Sequence, residues 1–572
     1  MKLKRNIINL FLATAFLGFS GCETMDLDQN EDPSALAANY LDPIYTFNYA
    51  QLQLPDFVNS ANGFTQRVTR QMAMTGGNTY NNAFAPVNFD NNWTTGYLIL
   101  NAIKVMEPKA TEMNETFILG ASKVIRAYVL MTMTDMYGDI PYSEALMGNA
   151  NLSPKFDNSE DVYAGVYAEL TQAIDLLQQT SSDTTLARDL YYGDIEGKPD
   201  KAGWIRLANT LKLKMLNSAR LANGGSFGGV NIQTEVNNVL ATDIIDQPNE
   251  DFAFKYGTER DLPNSRHPQY NASYEFGGAP YLGNYFIWAV TTEKQSGNPS
   301  FDPRSDFYFF KQLSNVGGGS SNAQTIPCLY TVARPDHFND DEYDSFYDPA
   351  IDAPYCTVAS NNFLGRDHGD WSGIPADDGL RTVVGLYPAG GAIGAPFEVV
   401  DTGGEKGALG QGIMPIVMSS FVHFMKAELI LEGVATSGNA KTELETGIRQ
   451  SITKVTTFLP AQPGRPDQST IDTRTNTYVN FVLGRYDSAG DADKLQIIIK
   501  EFYIASWGNG IEPYNNYRRT GYPDNFQPTI EQEPGQFFYT ALYPGVSVNN
   551  NLNAPNNVRT KKVFWDGGIT LH

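Results

Sequence analysis

A mostly α-helical body, with paired helices around a long loop-rich insertion carrying short strands, is the fold class that this sequence predicts. Three observations predict it. Apolar residues recur with the 3.6-residue helical period in about eight segments. Four of these precede and four follow residues 222–411, a stretch rich in Gly, Asn, Pro, Tyr and Phe that shows no such period. Hydrophobic residues make up 42% of the 572, enough to fill a large core.

The N-terminus reads as an export signal. Lys2, Lys4 and Arg5 form a positive start, and Ile7 to Phe19 is an apolar run too short to span a bilayer. It ends in Phe19-Ser20-Gly21-Cys22, and small residues just before a Cys resemble a bacterial lipobox. Residues 1–21 are therefore expected to leave, and Cys22 to carry lipid chains that hold the protein stably on a membrane. Glu23 to Pro33 is acidic and poor in apolar residues, so 22–40 is expected to be a flexible tether ahead of a single body at 41–572.

Within that body the helical stripes come in order. Tyr97, Leu98, Ala102, Val105 and Met106 mark a helix near 95–108. Phe117, Ala121, Val124, Tyr128 and Met131 mark 117–136. Val162, Val166, Leu170, Ala173, Ile174 and Leu177 mark 160–179, where Asn158 or Ser159 would cap and Glu160 and Asp161 suit the N-terminal dipole. Trp204, Leu207, Leu211 and Met215 mark 202–221. After the insertion the period returns at 412–433 (Phe421, Phe424, Met425, Glu428, Leu431), 441–458 (Leu444, Ile448, Ile452, Val455), a shorter segment with Tyr478, Phe481 and Val482, and 494–507 (Leu495, Ile498, Ile499, Phe502). The scaffold is thus expected at about 95–221 and 412–507. Its consecutive pairs resemble tetratricopeptide-type hairpins, which bury one continuous core and leave one broad face. A gap as long as 222–411 is too long for a single loop, so it reads as an ordered insertion with short strands. A loop-rich tail, 522–572, closes the chain.

Composition limits function. With 41 basic against 64 acidic residues the net charge is −23, which repels phosphate backbones and excludes nucleic-acid binding. The sequence has no CxxC pair, HExxH or Walker loop, and only five His. Gly224-Gly225-Ser226-Phe227-Gly228 fits GxSxG in letters, but it follows a helix rather than a strand. Glu428 and Glu501 are the acids a two-carboxylate glycosidase would need, and each also suits a buried hydrogen bond. The cluster Gly365-Arg366-Asp367-His368-Gly369-Asp370-Trp371, continuing to Asp377 and Asp378, could be pinned by Arg–Asp and Asx-turn bonds, hold a structural divalent cation through Asp367, Asp370, Asp377 and Asp378, or touch ligand. Cys328 and Cys356 could pair or stay as thiols. No other cofactor is expected.

Exposed rings are the better lead, because a flat ring stacks on a sugar face or an apolar side chain while a neighbouring amide bonds its polar groups. The candidates are Asn78, Tyr80, Asn92, Trp93, Tyr285, Trp288 and Trp371, with Trp93 foremost. Trp204, Trp507 and Trp565 read as core.

Several motifs in order resemble the SusD/RagB family of outer-membrane nutrient-binding lipoproteins. They are Asn30-Glu31-Asp32-Pro33, Tyr137-Gly138-Asp139-Ile140-Pro141-Tyr142-Ser143-Glu144-Ala145, Trp204 to Lys212, Gly365 to Gly369, Tyr387 to Gly391, Lys426-Ala427-Glu428, and Trp507 through Tyr517-Arg518-Arg519-Thr520-Gly521-Tyr522-Pro523. The resemblance implies four tetratricopeptide-like helical hairpins and no catalysis. It implies capture of oligosaccharides or oligopeptides at the cell surface and their delivery to a SusC-like TonB-dependent outer-membrane barrel. A surface glycoside hydrolase and an adhesive surface protein are the competing readings.

Overall fold

The computed structural model describes residues 42–571 apart from 76–78, 181–186, 195, 278–279, 295–300, 313–362, 364, 371–380, 394–402, 461 and 532–533. Cys22, Asn78, Cys328, Cys356, Trp371, Asp377 and Asp378 lie outside the described residues. Pro43–His572 forms one compact unit.

Its first helix, α1 (Pro43–Val68), has no counterpart among the periodic segments. The sequence hides it because Pro43, Asn48, Pro55, Asn59, Asn62 and Gly63 are poor helix formers; tertiary burial of Phe47, Leu54, Phe57, Val58 and Phe64 holds it instead. There follow α2 (Asp90–Glu112), α3 (Thr116–Tyr137), α4 (Ser159–Gln178) and α5 (Lys201–Ser218). The cap of α4 is Asn158, whose side chain accepts from the Glu160 amide. Asp200 caps α5 in the same way, accepting from Ala202 and Gly203. α3 is long and apolar enough to cross a membrane, yet 89% of its most apolar window is buried inside the protein, as befits the central helix of the stack.

Each of these helices packs on the next, and α5 packs on the short α6 (Ile232–Leu240). The insertion holds α7 (Asn284–Thr291), and three antiparallel strand pairs form among the described residues, one of them joining the insertion to residues 413–417 beyond it. These are β1 (Ser226–Phe227) with β2 (Val230–Asn231), β3 (Phe252–Lys255) with β6 (Ile413–Val417), and β4 (Phe309–Phe310) with β5 (Val383–Val384). β1 and β2 form a hairpin, so Ser226 sits on a strand rather than at the sharp strand-to-helix turn of a nucleophile.

β6 corrects the helix expected over 412–433. Ile413-Met414-Pro415-Ile416-Val417 is buried throughout and pairs with β3, and α8 begins only at Ser419 (Ser419–Leu431). Five consecutive apolar residues with a Pro among them suit a fully buried strand better than a helical stripe. The scaffold then continues through α9 (Ala440–Thr457), α10 (Gln468–Ser488), α11 (Asp491–Ala505) and α12 (Ile511–Thr520). The chain is thus mostly helical, with hairpins of tetratricopeptide type and few short strands. Trp204, Trp507 and Trp565 are fully buried, as expected.

α12 joins the early helices to the late ones. Its Glu512 pairs with Lys214 of α5 at 2.6 Å. Asn515 donates to the Asp135 carboxylate of α3, and Arg518 donates to the Asp135 carbonyl. Arg519 pairs with Glu428 of α8, which also accepts from Arg220.

Candidate functional site

Residues 365–370 form the junction of three distant segments. Arg366 lies in a parallel bridge beside Gly283: its amide donates to the Leu282 carbonyl, and its carbonyl accepts from the Asn284 amide. On the other side Leu282 bridges Met72, and Gly369 donates to the Met74 carbonyl. From the C-terminal tail Ile530 donates to the His368 carbonyl. Gly283 is required at the crossing, because a Cβ there would run into the Arg70 carbonyl.

Side chains complete the junction. Asp367 accepts from Asn284 at 3.0 Å and from Gln527 at 2.7 Å. Asp370 takes Arg366 at 3.1 Å. Both acids are buried and bonded within the chain, which is the pinned-loop arrangement. Among the described residues no three His, Cys, Asp or Glu side chains stand together as metal ligands.

His368 Nε2 is 2.8 Å from the Tyr80 hydroxyl. Burial, helped by the Arg70 charge, holds this imidazole well below its ordinary pKa, so the ring is neutral at pH 7. Beside it the Arg366 and Arg381 guanidinium carbons lie 4.9 and 4.0 Å from the Tyr281 ring centre. Tyr281 is itself 5% exposed, so the two cations hold a buried ring in place and fix the shape of the junction. Sequence reasoning missed Tyr281 and Arg381, which lie far apart in the chain and meet only through the junction.

The structure brings Tyr80, Asp367, Asp370, Tyr285 and Trp288 to this region and leaves Asn92 and Trp93 elsewhere. Tyr285 and Trp288 lie on α7 just after Asn284, and the Lys500 ammonium stands 4.5 and 5.3 Å from their ring centres. Lys500 is also 2.9 Å from Glu293, and burial nonetheless brings its pKa down to about 8.

The expectation of an exposed ring at Trp93 is corrected: it is 7% exposed. It packs among Tyr97, Tyr137, Phe156 and Tyr543, with centroids 5.1 to 6.3 Å away. Asn92 is spent on the Phe57 carbonyl and the Ser60 and Tyr137 hydroxyls. These two residues anchor α2 against α1 and α3. Tyr80, Tyr285 and Trp288 are likewise buried rather than exposed. An apolar-polar alternation near a helix start carries the same letters whether a ring faces water or a neighbouring helix, and here the tail residue Tyr543 closes the site.

The glycosidase acids are also spent. Burial pushes the Glu428 carboxyl up, but Arg519 and Arg220 outweigh it and hold the pKa at about 2. Glu501 takes Lys294 at 2.7 Å, the Tyr478 hydroxyl at 2.9 Å and Arg304 at 3.4 Å.

Comparison with known proteins gives matches to two family models. Residues 28–324 match a SusD-like model described as starch-binding associating with outer membrane. Residues 412–556 match the SusD and RagB outer membrane lipoprotein model. No curated protein matches the sequence. Among solved structures, a chitin-binding SusD homologue from Flavobacterium johnsoniae is 17% identical with a TM-score of 0.62, covering 92% of this chain and 98% of that one. A SusD homologue from Bacteroides vulgatus is 15% identical with a TM-score of 0.63, over 92% and 98% of the two chains. One from Bacteroides fragilis is 19% identical with a TM-score of 0.59, over 90% and 98%. At these identities the likeness is one of fold.

Proposed function

Since the chain belongs to the SusD-like family of outer-membrane nutrient-binding proteins, we propose that it captures an oligosaccharide outside the cell without cleaving it. In this reading it passes the ligand to a SusC-like TonB-dependent barrel and is held beside that barrel by lipid on Cys22. The observation that carries the reading is the junction at 365–370, which gathers Tyr281, Arg366 and Arg381, the two guanidinium carbons lying 4.9 and 4.0 Å from the Tyr281 ring centre. Two further ligand candidates, Asn78 and Trp371, border the junction residues Tyr80 and Asp370 in sequence. A sugar over an oligopeptide is supported by the family description and by the chitin-binding neighbour. Non-catalytic capture is supported by Glu428 and Glu501, whose carboxylates are engaged by cations.

Physically, a lipid anchor makes docking on the barrel effectively intramolecular, so modest affinity for the partner suffices. Affinity for the ligand must also stay moderate, because the captured chain has to leave again. The test is calorimetric titration of the mature protein with starch, chitin and other neutral oligosaccharides and with oligopeptides, followed by chromatography of the recovered ligand. The expected result is saturable binding of an intact oligosaccharide, weakened about tenfold or more by Tyr281→Ala, which loosens the junction. Shortened products, or binding of peptides alone, would refute the proposal.

A further inference from the structure

The turn Tyr137 to Leu146 builds something beyond a connection between α3 and α4. It is fixed from several sides. The Asp157 carboxylate accepts from the Tyr142 and Ser143 amides at 3.0 and 2.8 Å and from the Ser143 hydroxyl at 2.7 Å. Tyr97 donates to the Pro141 carbonyl at 2.7 Å, and Lys104 donates to the carbonyls of Ala145 and Leu146. Between this fixed wall and helices α2 and α3 lies a pocket of about 190 Å³. An apolar cavity of roughly 150 Å³ holds one benzene ring, so a single six-membered ring fits here.

The lining selects the kind of ring. Leu100, Leu130 and Pro141 supply an apolar side. Lys104 keeps one ammonium hydrogen beyond its two carbonyl bonds. Arg126 makes an ion pair with Glu169 at 3.5 Å and no hydrogen bond among the described residues, so its N–H groups are available. Glu107 is an acceptor, paired with Lys123 at 3.3 Å and 38% exposed along its side chain. Donors and an acceptor of opposite charge therefore face one small space. An anion entering it meets Glu107, and a cation meets Lys104 and Arg126. A neutral ring bearing several hydroxyls satisfies both kinds of group and lays its C–H face on the leucines. Because the wall is pinned before any ligand arrives, little ordering cost is added on binding.

We propose that this pocket between α2, α3 and the Tyr137–Leu146 turn binds one neutral polyhydroxylated six-membered ring, as a free monosaccharide or as the end unit of a glycan chain. The site is separate from the 365–370 junction, and neither reading depends on the other.

The test is ligand-observed NMR on the mature chain with glucose, galactose and N-acetylglucosamine as probes and with benzoate and benzylamine as charged ring controls. At least one neutral probe is expected to bind with a dissociation constant on the order of 1–10 mM. Arg126→Gln should weaken it about tenfold, and Ala145→Phe, which fills the pocket from its half-exposed turn, should abolish it. Oligosaccharide binding that depends on Tyr281 should survive both changes, which separates failure here from failure of the capture proposal. If Ala145→Phe lowers the melting temperature, Arg126→Gln alone carries the comparison. A trisaccharide that binds at least as well as its monomer assigns the end of a chain, and one that fails to bind assigns the free sugar. Absence of binding by all three neutral probes up to roughly 50 mM overturns the proposal. So does equal binding in wild type and Arg126→Gln, or tighter binding of either charged control.

Discussion

Replacing Glu428 with Gln probes the charge cluster that joins α5, α8 and α12. Glu428 is fully buried and accepts from Arg220 Nε at 2.6 Å, Arg519 Nη2 at 2.9 Å and Asn217 at 3.2 Å. Its pKa falls from 4.5 to about 2, a drop that at about 1.4 kcal/mol per unit corresponds to about 3 kcal/mol of stability. The amide keeps the shape but leaves the buried Arg519 guanidinium without its carboxylate and Arg220 with only Glu432 at 3.2 Å, and breaking a buried pair typically costs about 3–5 kcal/mol. Urea unfolding at pH 7 should therefore show Glu428→Gln less stable by about 3–5 kcal/mol. The pH dependence has a definite sign. The folded pKa is depressed, so the carboxylate's contribution is complete above pH 4.5 and disappears as pH falls towards about 2. The gap between wild type and variant should shrink over that same interval. A loss below about 1 kcal/mol at pH 7, or a gap that stays constant down to pH 2.5, would refute the assignment of this stability to the ion cluster.

Three other outcomes are expected. Lys500 has a folded pKa of about 8 against 10.5, so the unfolded chain holds the extra proton between those values and this group's contribution makes stability rise with pH there; urea midpoints from pH 7.5 to 10 should show the rise, and Lys500→Met should flatten it. Gly283→Ala pushes a methyl into the Arg70 carbonyl and should cost about 2 kcal/mol or more, read by thermal unfolding, with a matching loss of ligand binding because the 365–370 junction shifts. Trp93→Ala should cost about 3–5 kcal/mol in urea unfolding, since it empties a ring site enclosed by Tyr97, Tyr137, Phe156 and Tyr543; a variant of unchanged stability would contradict that packing.

Which parts of the molecule were legible in sequence follows from how local their causes are. The stripe Phe117, Ala121, Val124, Tyr128 and Met131 is a local pattern, and every one of these residues is buried in α3. Asn158 announces α4 because a cap bonds within its own first turn. α1 was not legible, since its Pro, Asn and Gly residues argue against a helix and only distant partners repay its formation. β6 was misread because an apolar run packed on both faces has no periodicity to distinguish strand from helix. The junction was half legible. Its acids and glycines stood out as a cluster, but Tyr281, Gln527 and Arg381 reach it from separate parts of the chain. Trp93 was misjudged because solvent exposure is a property of the neighbours, and Tyr543 arrives from 450 positions downstream.

The position of α12 near the end of the chain sets an order on biogenesis. Asp135, Lys214 and Glu428 are each buried against partners at positions 511–520, so every one of them waits for a segment made late in synthesis. A nascent chain threading outward from its N-terminus would carry these ionised groups in a half-built interior that cannot close over them. Completion of the helical stack is thereby tied to the synthesis of residues 511–520, nearly the last helical segment of the chain.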